Sequence, residues 1–407
     1  MANPDYPVRI GLERALEIVA ACAAQHRMPI ETAALADAQW RILAEPIRAP
    51  HPLPPFANSA MDGFALRGRD LPAEGKRAFA LVGEVFAGAA SAPAIGAGEC
   101  VRITTGAPMP AGADTVVVKE NATLVDGHVT LDAGEKAGAN VRAAGEDYAE
   151  GDLACEAGTR LDAARLAVLA ALGIAEVPVR RKPRIAVIAT GDELVQAGQA
   201  LGFGQIHESN AVMLAALSRE SGLQVVVQNR VRDDPDALRA ALPEAAADAD
   251  IIVTSGGVSA GEADHLPRVL ASIGETCFHK VRLKPGMPTL FGRIGACLYF
   301  GLPGNPVASA VTFRVFVGFA VRAMLGVGTV PVPDRARLDA PLRKRHARAE
   351  FLRCRLHRDD DGIQWAVPHA KQGSGMLRGL AESDALALLP EGEMEYQRGD
   401  IVMLWPG

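Results

Sequence analysis

The chain has 407 residues, of which 49% are hydrophobic and 22% charged, a composition typical of a globular protein with roughly two to four domains. The net charge is −6 and the Lys and Arg residues are dispersed, so the clustered positive charge that nucleic-acid binding requires is missing. The six cysteines lie far apart without a CxxC motif, which favours reduced thiols over a disulfide framework or a zinc site.

No part of the sequence predicts a membrane span. The N-terminus lacks a basic segment followed by an apolar core. The longest apolar stretch, VASAVTFRVFVGFAVRAML, is interrupted by Arg314 and Arg322 and falls short of the ~18 apolar residues that a span needs. We therefore expect a soluble, cytoplasmic protein that binds neither membrane nor nucleic acid.

In chain order, the first predicted elements are helical. GLERALEIVAACAA places Leu12, Leu16 and Val19 on one helix face. AQWRILAEPI repeats a helical pattern that Pro46 stops, and the proline-dense stretch APHPLPPF marks a boundary. A later helical pattern, LDAARLAVLAALG, ends at Gly173. Residues 1–50 and 142–180 are expected to form one discontinuous, extended helical domain.

Residues 51–141 read as an inserted β domain. The helical period vanishes after residue 58, and short apolar runs such as ECVRITTG and DTVVVKE alternate with Gly, Pro and Asp turns. At the other end of the chain, residues 327–407 are also short and strand-rich, with turns such as RDDDG. This last segment is predicted to be a small C-terminal β barrel.

Residues 181–326 predict a three-layer α/β domain. Near-continuous apolar strands, among them PRIAVIAT, LQVVVQNRV, DIIVTSGG and ACLYFGL, alternate with helical segments. This alternation is typical of a mostly parallel sheet that is covered on both faces. Such sheets bind ligands at the carboxyl ends of their strands, so the functional residues are sought there.

Carboxylates follow three successive strands of this domain, in the pairs Asp192–Glu193 and Asp233–Asp234 and in Glu262 and Asp264. Crowded carboxylates repel one another unless a cation is present, and Mg²⁺ prefers oxygen ligands. Asp234 before Pro235 reads as a helix cap, which leaves Asp233 for function. Glu193 is a better ligand candidate than Asp192, and Glu262 reads as a solvated charge at a helix start. From its spacing alone, Asp264 is equally consistent with a functional and with a purely structural role.

Gly256 and Gly257 in TSGGVSAGEAD would let backbone N–H groups approach an anion, although a glycine pair after a strand is a weak signal by itself. FHKVRLKPGMP offers Lys280 and Lys284 to a phosphate or oxyanion, against the alternative that both are surface lysines. In GLPGNPV, Asn305 and Pro306 predict a helix start, and the dense Pro/Gly packing suggests a fixed backbone against a ligand.

Eight ordered motifs, taken together, make this chain resemble the molybdopterin molybdenumtransferase family, the MoeA-type proteins that are also similar to the E domain of gephyrin. The resemblance covers residues 8 to 405, and the motifs are NSAMDG, TTGAPMP, RAAGED, ATGDEL, RDD, TSGGVSAGEAD, LKPG and GLPGNPV. It implies insertion of molybdenum from molybdate into adenylylated molybdopterin, with release of AMP in an Mg²⁺-dependent step. It also implies a homodimer of four-domain subunits, with the cleft between the α/β domain of one subunit and the β insert of the other. Molybdopterin adenylyltransferase and other cofactor-pathway proteins are possible partners.

The resemblance also assigns residue roles. It implies Mg²⁺ ligands at Glu193, Asp233 and Asp264, and catalytic roles for Asp62, Asp147, Asp233, Asp264, Lys280 and Lys284. It implies substrate contacts at Thr105, Ser255, Gly256, Gly257, Pro303 and Pro306, and at the cleft-facing positions Arg353 and Ser374. The chain departs from the family at Ala57, where an acidic residue is common, and at Met287, where a third lysine is common.

Two other functions remain open from sequence. The α/β segment resembles molybdopterin adenylyltransferase, but those enzymes usually consist of that domain alone. A gephyrin-like scaffold is the second alternative, although the chain has no disordered linker or fused domain to support it. Molybdate and tungstate are both tetrahedral dianions of nearly equal size, so the sequence predicts no preference between them.

Overall fold

The computed structural model describes residues 6–258, 265–327 and 333–405. The chain divides into two compact units. The first unit comprises residues 1–31, 40–42 and 179–407, and the second comprises residues 32–39 and 43–178. The α1 helix lies in the first unit and α2 in the second. The division into four domains stays a prediction.

The helices are α1 (Leu12–Gln25), α2 (Ala163–Ala171), α3 (Asn210–Glu220), α4 (Pro235–Asp248), α5 (Leu266–Ile273), α6 (Pro306–Thr312), α7 (Gly318–Leu325) and α8 (Leu377–Ala381). An aspartate side chain caps the starts of α2 and α4. Asp234 caps α4 by accepting hydrogen bonds from the backbone N–H groups of Asp236 and Ala237, with Pro235 in the first turn. The predicted capping role of Asp234 is confirmed.

The strands up to residue 155 are β1 (Val8–Ile10), β2 (Ile30–Ala34), β3 (Ile47–Arg48), β4 (Asn58–Ser59), β5 (Gly63–Leu66), β6 (Lys76–Val85), β7 (Glu99–Ile103), β8 (Thr115–Val118), β9 (Ala122–Val125), β10 (His128–Asp132), β11 (Val141–Arg142) and β12 (Leu153–Cys155). Those that follow are β13 (Glu176–Arg180), β14 (Arg184–Thr190), β15 (Leu194–Val195), β16 (Ile206–His207), β17 (Gln224–Val231), β18 (Ile251–Ser255), β19 (Glu275–Val281), β20 (Leu283–Lys284), β21 (Leu290–Ile294), β22 (Cys297–Leu302), β23 (Asp334–Leu338), β24 (Leu342–Lys344), β25 (Ala349–Arg358), β26 (Gln364–Pro368), β27 (Ala385–Leu389), β28 (Met394–Tyr396) and β29 (Ile401–Trp405).

A seven-stranded mixed sheet organises the first unit, in the order β1-β19-β21-β22-β18-β14-β17. The four strands β22, β18, β14 and β17 run parallel, whereas β21 is antiparallel to both of its neighbours. The central strand β18 is buried along its whole length, as its apolar sequence predicts. Because Ser255 of β18 pairs with Ala189 of β14 and with Leu302 of β22, the carboxyl ends of these three strands meet at one edge.

The C-terminal strands close into a ring, as predicted. The strands β25, β26, β23, β29 and β27 pair in that order, and β27 pairs back with β25. Short β20 joins β25 from outside the ring through the pairs Leu283–Ala349 and Lys284–Glu350. The aromatic side chains of Phe351 and Trp405 meet edge to face at 5.3 Å.

The second unit is built on a six-stranded sheet in the order β8-β5-β7-β6-β10-β9. Its residues lie between 63 and 132, inside the predicted inserted β segment. Alternate residues pack on the two faces: Phe64 and Leu66 belong to one apolar cluster, and Ala65 belongs to the other.

One continuous helical segment, Pro306–Leu325, is long and apolar enough to cross a membrane, with a mean hydropathy of 1.5. It consists of α6 and α7 joined by a π-helical turn, Phe313–Val317. Of its most apolar window, 78% is buried inside the chain. Its apolar side chains pack in the same core as α1 and the mixed sheet, which accounts for its composition.

The helix predicted for residues 38–47 is wrong. Its backbone forms long-range hydrogen bonds instead: the N–H of Leu43 donates to the carbonyl of Thr159, and that of Ala44 to the carbonyl of Pro178. Trp40 adopts a left-handed conformation with φ +64°, which interrupts a right-handed helix. Long-range pairing thus overrides the local helical pattern.

Candidate functional site

A cavity of about 720 Å³ opens in the first unit at the shared edge of β14, β18 and β22. Its walls come from the ends of these strands, from the start of α3 and from the loop that precedes α6. The lining residues that were predicted from sequence are Glu193, Asp233, Ser255, Gly256, Gly257, Pro303 and Pro306. The structure therefore brings together seven predicted residues that are widely separated along the chain.

The two glycines are required by the backbone of this cavity wall. Gly256 has φ +103° and Gly257 has φ +65°, conformations that side chains disfavour. A Cβ on Gly256 would lie 2.6 Å from the carbonyl oxygen of Thr190, and one on Gly257 would lie 3.1 Å from Leu266. A side chain at either position would therefore displace a neighbour, which is the end of β14 for Gly256 and Leu266 of α5 for Gly257.

Asn210 ties two walls of the cavity together, although the sequence analysis missed it. Its Nδ2 donates to the Ser255 hydroxyl and to the Gly304 carbonyl, each at 2.7 Å. Ser255 is 2% exposed, so its hydroxyl is fixed rather than mobile. The available sequence signal was the polar run ESN before an apolar helix, but such a run is equally typical of an ordinary helix start.

Two of the three predicted metal-binding carboxylates line the cavity. Asp233 is half-buried, with Oδ1 against Gly257, whereas Glu193 is exposed. Asp192 is exposed too and faces Arg232, whose Nε lies 3.8 Å from its Oδ1. Asp264, like Glu262, lies outside the described residues. Of the predicted metal-binding carboxylates, Glu193 and Asp233 therefore line the cavity.

Within residues 6–258, 265–327 and 333–405, no group of three or more His, Cys, Asp and Glu residues is placed to hold a metal ion. Glu193 and Asp233 nevertheless offer the hard oxygen ligands that Mg²⁺ prefers. Protein-bound Mg²⁺ is commonly held by one or two carboxylates together with substrate phosphates. The donor chemistry thus fits a Mg²⁺ ion whose coordination the substrate completes.

The loop before α6 is fixed by a second loop. Asn305 Nδ2 donates to the Ser374 hydroxyl at 3.1 Å, and the backbone N–H of Val307 donates to the Ser374 carbonyl at 3.0 Å. Gly375 and Leu377, next to Ser374, line the cavity. Ser374 therefore holds the proline loop in place rather than forming the lining itself.

Arg353 differs from its predicted cleft-facing position. It is only 1% exposed, and its guanidinium donates to the carbonyls of Lys371 and Gly373. Burial lowers the pKa of this guanidinium from its usual value. The charge of Arg353 is thus directed at the loop that carries Ser374.

The two predicted anion-binding lysines lie in different environments, and neither belongs to the described lining of the cavity. The Nζ of Lys284 forms a 2.8 Å ion pair with Glu350, a carboxylate that is 6% exposed and also lies 3.0 Å from His346. Lys280 adopts φ +66°, and its N–H donates to the Thr289 carbonyl. Such strained backbone tends to occur at functional sites.

Asp62 and Thr105 are brought together in the second unit. Asp62 Oδ1 accepts hydrogen bonds from the N–H and from the hydroxyl of Thr105, both at 2.8 Å, and Lys119 lies 3.9 Å from Oδ2. These hydrogen bonds, led by that of the backbone N–H, lower the pKa of Asp62 below its ordinary value. Asp62 is therefore an exposed, firmly oriented carboxylate.

Asp147 lies elsewhere in the second unit, at a cavity of about 500 Å³ that Leu53, Pro54, Asn58, Arg142 and Glu146 also line. Its N–H donates to the Leu53 carbonyl at 3.0 Å. The acidic residues Glu146 and Asp147 thus share the lining of this cavity with the basic residue Arg142. Two polar patches thus exist in the second unit, at Asp62–Thr105 and around Asp147.

Three family models match successive parts of the chain. Residues 10–173 match "MoeA N-terminal region (domain I and II)", residues 186–323 match "Probable molybdopterin binding domain", and residues 335–406 match "MoeA C-terminal region (domain IV)". The cavity described above is formed chiefly by residues of the second match.

The chain is also similar to curated and to solved proteins. It is 38% identical over 376 residues to a molybdopterin molybdenumtransferase of Nostoc sp., covering 90% of this chain and 86% of that protein. It is 35% identical to one of Haemophilus influenzae, covering 91% and 92%. The crystal structure of a molybdopterin biosynthesis moea protein from Pyrococcus horikosii superposes with a TM-score of 0.82 at 32% identity, covering 98% of this chain and all of that one.

Proposed function

This chain belongs to the molybdopterin molybdenumtransferase family, and from that premise we propose that it inserts molybdenum into molybdopterin during biosynthesis of the molybdenum cofactor. The observation that carries the proposal is the cavity in the segment matching the molybdopterin-binding domain. It combines left-handed glycines at a strand end with carboxylates and with the starts of two helices. This combination suits a ligand that bears phosphate groups and is bound with a cation.

The finer part of the proposal concerns the substrates, which we take to be adenylylated molybdopterin and molybdate, with AMP as a product. Both substrates are anionic and repel each other, so positive potential must offset their charge. The starts of α3 and α6 lie at the cavity and supply positive dipole ends. Gly256 and Gly257 allow the backbone to approach a phosphate oxygen closely.

Glu193 and Asp233 would hold Mg²⁺ together with the phosphate oxygens of the substrate, and Asp264 remains their partner on the resemblance alone. When bound, Mg²⁺ offsets the charge of the diphosphate and polarises its phosphorus–oxygen bonds. The role of the protein is positional: Asp234 caps α4 and thereby fixes the neighbouring Asp233, and Asn210 fixes the Ser255 hydroxyl. Glu193, on the exposed side, can adjust to the incoming ligand.

For the oxyanion, the surroundings favour Lys280 over Lys284. The Glu350 carboxylate neutralises Lys284 at 2.8 Å, and releasing that lysine would leave a nearly buried carboxylate without it. Lys280 is held in a left-handed conformation that costs about 1–3 kcal/mol and that the surrounding sheet must enforce. We assign Lys280 to the anion and Lys284 to the support of β20.

The proposal includes a homodimer whose cleft adds Asp62, Thr105 and Asp147 of one subunit to the α/β cavity of the other. The resemblance supports this arrangement, and the fixed orientation of the exposed Asp62 carboxylate is consistent with it. The adenylyltransferase alternative is not favoured, because the matches extend on both sides of the central domain, over residues 10–173 and 335–406. No described feature favours a scaffold.

A metal-insertion assay with purified adenylylated molybdopterin tests the proposal. With molybdate and Mg²⁺ present, we expect AMP release and formation of the molybdenum-loaded pterin. Asp233→Asn and Glu193→Gln should each slow AMP release by roughly 10²–10³-fold, a loss typical of removing one well-placed electrostatic group. Asp236→Asn is the matched control, since this carboxylate lies one turn away and is 89% exposed.

Wild-type rates in both carboxamide variants would overturn the metal assignment, although the insertion activity itself would stand. Absence of molybdenum loading by the wild-type protein, with substrates verified by a related enzyme, would overturn the function. Comparing molybdate with tungstate in the same assay measures the oxyanion preference. The molar mass in solution, measured by light scattering, tests the homodimer.

A further inference from the structure

Cys22 and Cys277 form a close thiol pair inside the first unit. Cys22 lies on α1, Cys277 lies on β19, and their Sγ atoms are 3.9 Å apart although 255 positions separate the residues in sequence. Both side chains are half-buried, whereas the other four cysteines are buried. Both thiols are free, so the two sulfurs face each other without a bond.

A guanidinium lies beside the pair. Arg293, on β21, donates to Gln25 of α1 at 3.4 Å and forms an ion pair with Glu275 of β19. It therefore contacts both elements that carry the cysteines. A cation in this position favours a thiolate over a neutral thiol.

The two thiols differ in acidity, as a donor and an acceptor should. A hydrogen bond from Cys277 lowers the pKa of Cys22 from 9.0 to about 7, with a further contribution from Arg293. The same hydrogen bond, together with burial, raises the pKa of Cys277. These opposite directions favour Cys22 as the nucleophile and Cys277 as the resolving thiol.

We propose that Cys22 and Cys277 are a reversible redox site that hydrogen peroxide converts into a disulfide joining α1 to β19. The Cys22 thiolate attacks one peroxide oxygen, the O–O bond breaks, and hydroxide leaves, so that Cys22 becomes a sulfenic acid. The sulfur of Cys277 then attacks the sulfenic sulfur, the S–O bond breaks, and water leaves with the Cys277 proton. Together, two thiols and one peroxide give one disulfide and two waters, and the two electrons that the thiols lose reduce the O–O bond.

The cross-link would reach the cavity wall through β19. His279, two residues beyond Cys277, has its Nε2 3.1 Å from the carbonyl oxygen of Val258, which lines the cavity. His279 is 9% exposed, so this contact is enclosed. A disulfide at Cys277 would therefore restrain the strand that supports the glycine-bearing wall.

The test uses the full-length protein, reduced and then treated with a slight excess of hydrogen peroxide. We expect the intact mass to fall by two hydrogen atoms per chain. Peptide mapping without reductant should recover one disulfide-linked pair containing Cys22 and Cys277, and dithiothreitol should restore both thiols. An unchanged mass, or a cross-link between other cysteines, would overturn the proposal.

Variants separate the two roles. In Cys277→Ser, Cys22 should accumulate as a sulfenic acid that dimedone traps, because the resolving thiol is missing. Cys22→Ser should form neither product, and Cys155→Ser, which removes a buried thiol of the second unit, should behave as wild type. Dimedone labelling of Cys277 in Cys22→Ser at the rate of Cys22 would refute the assignment of nucleophile.

The pH dependence of alkylation checks the role of Arg293. In wild type, iodoacetamide should modify Cys22 with a midpoint near pH 7, and in Arg293→Gln that midpoint should move upward. Because the fold can be verified by circular dichroism in each variant, a midpoint near 9 in folded wild-type protein would contradict the thiolate and with it the proposed order of attack.

Discussion

The wall of the first-unit cavity and the Asp62–Thr105 turn of the second unit hold their polar groups by opposite means. Gly256 and Gly257 have a backbone with positive φ angles, and atoms of Thr190 and Leu266 occupy the space that side chains would need. At Asp62 the backbone is ordinary, and hydrogen bonds from Thr105 orient an exposed carboxylate. Substitution of the glycines should therefore cause steric clashes. The Asp62–Thr105 interaction should instead weaken when the charge of Asp62 is removed by mutation or by low pH.

The largest effect is expected when a side chain is added to the glycine-bearing wall of the cavity. Gly256→Ala places a Cβ 2.6 Å from the Thr190 carbonyl oxygen at φ +103°. The unfavourable φ costs about 1–2 kcal/mol, and relief of the clash adds about 1–3 kcal/mol. We expect a lowered melting temperature together with loss of metal insertion.

Gly222→Ala is the matched control, because Gly222 also has a positive φ, +77°, but a Cβ there would meet nothing within 4 Å. This variant should show only the conformational cost and keep its activity. Equal melting temperatures for the two variants would show that the cavity wall relaxes around the added Cβ. The steric explanation for Gly256 would then be wrong.

A smaller effect is expected where side chains tie the cavity walls together. Asn210→Ala removes the donor to the Ser255 hydroxyl and to the Gly304 carbonyl. Leaving the buried Ser255 hydroxyl without this donor costs about 1–3 kcal/mol, whereas Gly304 is exposed and its carbonyl can bind water. Asn210→Asp keeps the shape but cannot donate while ionised, so it should lose at least as much stability in urea unfolding at pH 7. Full stability in the aspartate variant would mean that shape, rather than the donated bonds, joins the walls.

The smallest effect belongs to the exposed turn. The folded-state pKa of Asp62 lies below the ordinary value of 3.8, so its stabilising contribution is present above that pH and is lost as the pH falls through the lower folded value. The melting temperature of wild type should slightly exceed that of Asp62→Asn at pH 7, and the difference should shrink toward zero in acid. Thr105→Val keeps the N–H donor but lacks the hydroxyl, so its melting temperature at pH 7 should fall between those of wild type and Asp62→Asn. A difference that grows in acid would reverse the sign of the argument.

Features that depend on local sequence were predictable. The strands of the α/β segment, the cap at Asp234 and the helix start at Pro306 all follow from short patterns of apolar, capping and proline residues. The convergence of residues 193, 233 and 255–257 at one cavity also followed, because parallel strands place their carboxyl ends at one edge.

Features that depend on distant partners were not predictable from these patterns. Lys284 reads as a solvated or anion-binding lysine because nothing near it in sequence reveals Glu350, a partner on β25. Arg353 likewise gives no local sign that its guanidinium turns to the carbonyls of residues 371 and 373. Residues 38–47 have helical spacing, yet their N–H groups donate to residues 159 and 178. In each case a contact with a distant residue decides the role of the side chain or backbone.

The attachment of β20 to the closed ring has a consequence for how this protein can change over evolution. β25 pairs with β20, and Ala349, Phe351 and Leu386 of the ring belong to the same apolar core as α1 and the mixed sheet. We therefore expect that recombination cannot exchange the C-terminal ring freely between relatives. A substituted C-terminal segment would have to carry a matching edge for β20 and a matching apolar surface. We expect residues 335–406 to evolve together with the cavity that they support.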